Sequence, residues 1–314
     1  MARSTASHHH PASVATIDRP DWLDEDVWPY QVRTYVHGAT PLHYLDEGDG
    51  SVVVLVHAGT WSFVWRDLVR ELRPHVRCLA LDFPGAGLSG GGRDDVDLAR
   101  YAEALDDWLD HLGIDEATFV VHDLGGVVGV TAAAARPRRV TRLVAVNSFA
   151  WPAGPRALRV MLGAMGSPTA TALLGTFRVV PRLTRTSFGV GQHLDRTDRR
   201  AFFGPFRSRE RSRNFHRTMA SARRSPDLFA AADEALRTTL RRLPVLTVFG
   251  ERNDPFGFGD EWRERFPHAD SHVVEGGNHF PMCDDPEQVG RWILDWLDAD
   301  DQVTTPSVRV TPGV

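Results

Sequence analysis

The sequence contains no lysine, so its 36 lysine-or-arginine positions are all arginine. Only two cysteines are present, Cys78 and Cys283, which is too few for a disulfide framework and predicts a reducing, cytoplasmic location. No apolar run approaches the roughly 18 residues of a membrane span, and we expect no membrane interaction. The N-terminus does not resemble a secretory signal, because His8 to His10 stand where an apolar segment would be needed.

Charge is distributed unevenly along the chain, although the formal net charge is only −5. Residues 151–242 carry 18 arginines and six acidic residues, so this stretch is strongly basic and the remainder is acidic. Such asymmetry is typical of proteins with an anionic substrate or an acidic protein partner. It is equally compatible with a solvated helical surface. We expect a small organic substrate and no nucleic acid partner, and we leave a homodimer open.

Hydrophobic patterning predicts a single α/β core. Short apolar runs, such as residues 52–57, 76–82 and 140–147, alternate with amphipathic helical segments. This alternation predicts a mostly parallel sheet flanked by helices on both faces. The pattern stops after residue 150, where helical periodicity and many arginines continue without a convincing strand.

These changes in pattern divide the chain into four parts. The core is predicted to comprise residues 27–150 and 241–298, and residues 151–240 are predicted to form an inserted helical cap. Residues 1–26 are expected to form a disordered tail. Residues 299–314 are polar and are expected to be a loose C-terminal tail.

The most informative motif is VVHDLGG, from Val120 to Gly126. It follows the apolar run Ala117–Val121 and leads into a segment of high helix propensity. A strand, a sharp turn and a helix in this order form a nucleophile elbow, with Asp123 where serine is usual. A carboxylate can displace a leaving group from a saturated carbon and leave an alkyl-enzyme ester for water to cleave.

Several further segments, taken in their order along the chain, resemble those of α/β-hydrolases of the haloalkane dehalogenase and epoxide hydrolase branch. The resemblance extends from about Val27 to Leu297. It rests on the elbow and on four other segments: LVHAGTWS from Leu55, LDFPGAGLS from Leu81, VFGERND from Val248, and GGNHF from Gly276. It implies an α/β-hydrolase fold with an inserted helical cap.

The resemblance also implies an Asp-His-Asp triad. Asp123 is expected to be the nucleophile, and His279 the base that activates water for cleavage of the ester. Asp254, in the loop after the predicted strand 244–250, is expected to orient His279 and stabilise its imidazolium form. Asp260 is the alternative acid, but it fits better as a helix N-cap. Some relatives place the acid one strand earlier, where Asn147 cannot carry a charge.

The remaining expected site residues stabilise negative charge. The backbone N–H of Leu124 is expected to supply one oxyanion contact, and that of Ala58 or Gly59 a second. His57 and Asp82 are expected to be structural. No cofactor or metal is implied, because the chain lacks a phosphate-binding glycine loop and a His-Glu-x-x-His spacing.

The sequence departs from both branches of the family. Epoxide hydrolases of this type use tyrosines in the cap, but all four tyrosines lie outside residues 151–240. Val121, two residues before the nucleophile, is typical of dehalogenases instead. Dehalogenases, however, hold the departing halide with the indole of a tryptophan directly after the nucleophile, where this chain has Leu124.

The second halide donor of dehalogenases is also missing, because the loop after His57 looks one residue shorter. Trp61 and Trp151 could replace the missing donors or could simply pack, and Phe149 is a further candidate pocket residue. Loss of one such donor typically costs about 3–4 kcal/mol. We therefore do not expect efficient release of chloride from a simple alkane.

Three functional hypotheses follow. The first is a dehalogenase-like hydrolase that acts on a bulky or functionalised substrate through an ester at Asp123. The second is a family member redirected to a non-hydrolytic step, such as cyclisation or elimination, with His279 moving a proton. The third is a binding protein whose basic cap docks an acidic partner, but this role would not require Asp123, His279 and Asp254.

Overall fold

The centre of the protein is an eight-stranded sheet, in a computed structural model that describes residues 17–304 except positions 153, 155, 188 and 255. The strands are β1 (Arg33–His37), β2 (Thr40–Glu47), β3 (Val52–Val56), β4 (Arg77–Leu81), β5 (Ala117–Asp123), β6 (Val140–Ser148), β7 (Val245–Gly250) and β8 (Asp270–Val274). They are arranged in the order β1-β2-β4-β3-β5-β6-β7-β8. Strand β2 is antiparallel to both of its neighbours, and β3 to β8 are parallel, which confirms the predicted mostly parallel sheet.

Helices cover both faces of this sheet. The α-helices of the described chain are α1 (Arg66–Leu72), α2 (Leu98–His111), α3 (Gly125–Ala135), α4 (Arg156–Met165), α5 (Pro168–Phe177), α6 (Val179–Thr184), α7 (Arg196–Phe202), α8 (Arg209–Arg224), α9 (Pro226–Arg237), α10 (Phe258–Arg265), α11 (Pro281–Asp284) and α12 (Pro286–Thr304). Successive strand residues point to opposite faces. In β3, Val54 and Val56 therefore join the core beneath α2 and α3, whereas Val53 and Leu55 join the core beneath α1 and α12.

The segment between β6 and β7 contains helices α4 to α9. Helix α9 packs against α3 and so belongs to the layer that flanks the sheet. Helices α4 to α8 (residues 156–224), which we call the cap helices, include the residues that face the nucleophile elbow. Helix α9, which lies within the range 151–240 predicted for the cap, thus packs with the core layer. In the described part of the chain no single helix could span a membrane, and α4 and α5 meet the length and composition of a span only together, across a 63° bend.

Parts of both predicted tails belong to the described structure. Residues 17–26 pack onto the core: the backbone N–H of Ile17 donates to Thr34 Oγ1, Arg19 donates to the carbonyl oxygens of Trp28 and Tyr30, and Leu23 is buried. Helix α12 continues through the predicted boundary at residue 298 to Thr304. The tails were predicted from polarity and short length. Neither property can predict the individual hydrogen bonds that anchor these segments. Residues 1–16 and 305–314 lie outside the described chain.

The close approach of α3 to the sheet generates a stability prediction. An added Cβ at Gly125 would overlap the carbonyl oxygen of Val56, whereas one at Gly92 would meet open space. We expect Gly125→Ala to lower the free energy of unfolding by about 1–3 kcal/mol, although alanine normally favours a helix. Gly92→Ala is the matched control and should change it by less than about 0.5 kcal/mol. Urea unfolding measures both, and equal effects would contradict this packing argument.

Candidate active site

The nucleophile elbow lies at the junction of β5 and α3. Asp123 has a φ of +48°, in the left-handed region that non-glycine residues rarely adopt. Both following glycines are required by close packing, since a Cβ at Gly125 would overlap Val56 and one at Gly126 would overlap Ser148 and Phe149. The Ser148 hydroxyl also donates to the carbonyl oxygen of Asp123 at 2.9 Å. The turn is thus held from both sides, with the carboxylate directed out of the sheet.

His279 lies opposite this carboxylate, in the loop after β8. Its Nε2 atom is 3.7 Å from Asp123 Oδ2, and both side chains are about one-third exposed. Burial alone would raise the pKa of Asp123, but the neighbouring His279 ring and the backbone N–H of Leu124 hold it below its usual value. Asp123 is therefore ionised.

His122 contacts the backbone of His279. Its Nε2 donates to the carbonyl oxygen of His279 at 2.8 Å, which fixes the loop that carries this histidine. Burial lowers the pKa of His122 to about 3, so this ring is neutral and adds no positive charge next to Asp123. The sequence analysis did not identify this contact, because it joins two segments 157 residues apart.

Asp254 does not make the contact predicted for it. Its two carboxylate oxygens accept from the backbone N–H groups of Phe258 and Gly259, at 2.7 and 2.8 Å, and so cap the first turn of α10. The neighbouring Asn253 takes its place, with Oδ1 3.0 Å from His279 Nδ1. Because a carbonyl oxygen only accepts, Nδ1 carries a proton, and Nε2 is the ring nitrogen that faces the cavity. The partner of His279 is thus a neutral amide.

Of the residues predicted to stabilise negative charge, Leu124 and Ala58 lie at the site and Gly59 does not line the cavity. The N–H of Leu124 faces the Asp123 carboxylate, while the Leu124 side chain is buried in the core. Ala58 lines the cavity above Asp123. Gly59, at a φ of +88°, lies outside the lining and packs beneath Phe215. Thr60, next in the same loop, does line the cavity, and its buried hydroxyl has no hydrogen-bond partner within the described structure.

Trp61 and Trp151, the candidate replacements for the halide donors, both lie outside the cavity lining. The Trp61 indole is fully buried and donates to the carbonyl oxygen of Phe202 at 3.0 Å. Trp151 packs between Trp262 and the Arg265 guanidinium, which lies 4.0 Å from the ring centroid. No tryptophan is among the described residues that line the cavity. Of the three candidate pocket residues only Phe149 lines it, because both indoles satisfy packing needs elsewhere.

The cavity above Asp123 has a volume of about 390 Å³ and is mainly apolar. Its lining includes side chains from α4, α6 and α8 that no sequence motif marks: Leu158, Met161, Leu162, Met165, Val180, Leu183, Phe215 and Met219. Methionines and phenylalanines can adjust to varied apolar ligands. The arrangement can therefore hold a hydrophobic molecule with one reactive carbon facing Asp123.

The expected structural residues lie beneath the site. His57 is buried, accepts from the Trp65 indole at 3.1 Å, and has its pKa lowered to about 4 by burial. Asp82 accepts from the backbone N–H groups of Ser62 and Leu88, which fixes the two loops to each other. Neither residue lines the cavity. Among the residues that the structure describes, no cluster of His, Cys, Asp or Glu is arranged to hold a metal ion.

Comparison with known families agrees with this geometry. Residues 51–286 match the family model of the alpha/beta hydrolase fold. The haloalkane dehalogenase DbeA from Bradyrhizobium elkani superimposes with a TM-score of 0.76 at 22% identity, over 87% of this chain and 99% of that one. The chain belongs to the alpha/beta hydrolase fold family.

The sequence relatives have two different activities in their names. Haloalkane dehalogenase 2 of Mycobacterium tuberculosis is 34% identical over 149 residues, so the match spans about half of that protein (51%) and 46% of this chain. The haloalkane dehalogenase of Mycolicibacterium paratuberculosis is 29% identical over 82% of this chain and 88% of its own. The cis-3-alkyl-4-alkyloxetan-2-one decarboxylase of Xanthomonas campestris is 30% identical over 81% of this chain and 91% of its own.

Two variants test whether Asn253, and not Asp254, is the functional partner of His279. Asp254→Ala removes a helix cap, so it should lower the free energy of unfolding by about 0.5–2 kcal/mol and leave turnover close to wild type. Asn253→Ala should do the opposite, with lower turnover and little change in stability. Urea unfolding and initial rates with a bromoalkane measure both. A folded Asp254→Ala protein without turnover would restore Asp254 as the acid.

Proposed function

We propose that this protein, an enzyme of the α/β-hydrolase superfamily, uses Asp123 to displace a leaving group from a saturated carbon of an apolar organic substrate. The observation that carries the proposal is the ionised Asp123 carboxylate at a strained elbow, facing an apolar cavity. A carboxylate in such surroundings is poorly solvated, which increases its nucleophilicity. The dehalogenase relatives support the same chemistry at the level of the family.

In the first step, one Asp123 oxygen attacks the carbon that bears the leaving group. The new carbon–oxygen bond forms as the bond to the leaving group breaks, and the leaving group departs with the electron pair. The hydroxyl of Thr60, which is buried without a partner, can donate a hydrogen bond to the departing anion. The product is an alkyl ester of Asp123.

In the second step, water attacks the ester carbonyl carbon. His279 Nε2 takes the proton from this water and returns it to the departing alkoxide to give the alcohol. The carboxylic acid left at Asp123 then loses its own proton to solvent, which restores the carboxylate. The backbone N–H of Leu124 faces this carboxyl group and can stabilise the tetrahedral oxyanion. Asn253 fixes the required tautomer but adds no charge to stabilise the imidazolium.

Trapping the ester tests the nucleophile. We expect His279→Ala, incubated with bromoalkanes, to gain the mass of one alkyl group less one hydrogen, because the ester forms but is not hydrolysed. Intact-protein mass spectrometry and peptide mapping to Asp123 measure this. The matched control, Asp123→Ala with His279→Ala, should gain no mass. Adduct formation in that control, or product formation by Asp123→Ala alone, would contradict the covalent mechanism.

A second candidate function, decarboxylation of a dialkyl oxetan-2-one, is favoured by the neutral partner of His279. Asp123 would attack ring carbon 4, and the ring oxygen would leave as a carboxylate. Cleavage of the bond between carbon 3 and the carboxyl carbon then releases CO₂, forms the carbon–carbon double bond and expels Asp123. This sequence consumes no water, so it does not need a strong base at His279. The decarboxylase relatives match most of the chain.

The partition between alkene and β-hydroxy acid separates the two candidates on one substrate. From a 3,4-dialkyl oxetan-2-one, elimination gives the alkene and CO₂, whereas ester hydrolysis gives the hydroxy acid. We expect Asn253→Asp to increase the hydroxy-acid fraction by about tenfold, since a carboxylate stabilises the imidazolium formed during hydrolysis. Gas chromatography with mass spectrometry measures the ratio. An unchanged ratio would contradict the role given to Asn253, and absence of both products would exclude this substrate class.

A further inference from the structure

Large apolar side chains are exposed on one part of the cap. Five residues of α4, α5 and α6 form what we call the apolar cap patch: Val160, Met161, Leu173, Phe177 and Leu183, with between 40% and 62% of each residue exposed. Consecutive helices of this set pack against each other. In the described chain the one other large apolar residue of comparable exposure is Val273, on edge strand β8. Clustered exposed apolar residues mark an interaction surface.

The charge around this patch is of one sign. The sequence from Leu124 to Leu194 contains no aspartate or glutamate, and its cap portion contains five arginines. Arg156, Arg159 and Arg182 are exposed on α4 and α6, the same helices that carry the patch. Arginines beside exposed apolar side chains are typical of segments that lie in the interface of an anionic membrane.

Other occupants fit this surface less well. In a dimer through this patch, the five arginines of one copy would face the five arginines of the other. This segment contains no carboxylate that could pair with them. An acidic protein would complement the charge but would leave Phe177 and Leu173 without apolar partners. A bilayer supplies both an apolar layer and phosphate groups, and arginine side chains can reach the phosphates while the apolar residues insert.

The patch is continuous with the cavity above Asp123. Met161 and Leu183 are exposed on the outer surface and also line the cavity, so the cavity opens through the patch. An apolar molecule dissolved in a bilayer could enter at this point without crossing water. This delivery rests on the function proposed above, whereas the docking itself does not.

We propose that the apolar cap patch docks onto membranes that contain anionic lipids. Its apolar residues insert at the level of the headgroups, and the surrounding arginines contact lipid phosphates. The expectation from the sequence that the protein has no membrane interaction is thereby replaced by surface binding without a membrane span.

Vesicle flotation with the full-length protein tests the docking independently of turnover. Wild type should bind vesicles of phosphatidylglycerol and phosphatidylcholine, and bind less as salt increases. The double variant Leu173→Ser with Phe177→Ser should bind at least about tenfold more weakly, because less apolar surface inserts. Val273→Ser, equally exposed but on β8, is the matched control and should bind like wild type. Circular dichroism checks that each variant is folded.

The charge contribution has its own pair of variants. Arg182→Glu should weaken binding to the anionic vesicles about tenfold, whereas Arg241→Glu, before β7 at the opposite end of the sheet, should not. No binding by wild type, or equal loss in both members of either pair, would overturn the proposal. So would a dimer that disappears in the Leu173 and Phe177 double variant, or tighter binding to poly-glutamate than to anionic vesicles.

Discussion

The left-handed backbone at Asp123 is the constraint on which the rest of the site depends. Such a conformation is costly for a residue with a side chain and persists only where the surroundings enforce it. Here β3 and β6 enforce it, through contacts with Gly125 and Gly126 that leave no room for a Cβ. The same packing brings the Leu124 N–H to the Asp123 carboxylate. One turn thus sets the position of the Asp123 carboxylate, its exposure and the position of the Leu124 N–H together.

His279, opposite this turn, has a neutral side chain as its partner. His122 is kept neutral by burial, and the surroundings of His279 and Leu124 hold the pKa of Asp123 below its usual value. Attack by Asp123 requires only this carboxylate and a leaving group. Hydrolysis requires a cationic imidazole, which Asn253 orients without a compensating charge. In the mechanism proposed above, this arrangement favours formation of an ester over its hydrolysis.

The cap decides which molecules reach this chemistry. Its methionines, leucines and Phe215 give the cavity an apolar lining, and two of the same residues, Met161 and Leu183, continue to the outer surface. The basic character of this region was evident from composition, but composition alone did not connect it with the cavity. A cap with an apolar route to the surface fits substrates of low solubility in water, and its arginines place that route near anionic headgroups.

The sequence by itself determined the fold and the two residues that face each other across the cavity. Strand periodicity and the elbow motif are local properties, so they fixed the sheet and the positions of Asp123 and His279. Only the tertiary structure decided the partner of His279, because Asn253 and Asp254 are adjacent in one loop, where the backbone path and the capping of α10 decide which side chain faces inward. It also decided the partner of the Trp61 indole N–H, because the acceptor, the carbonyl oxygen of Phe202, belongs to a distant cap helix.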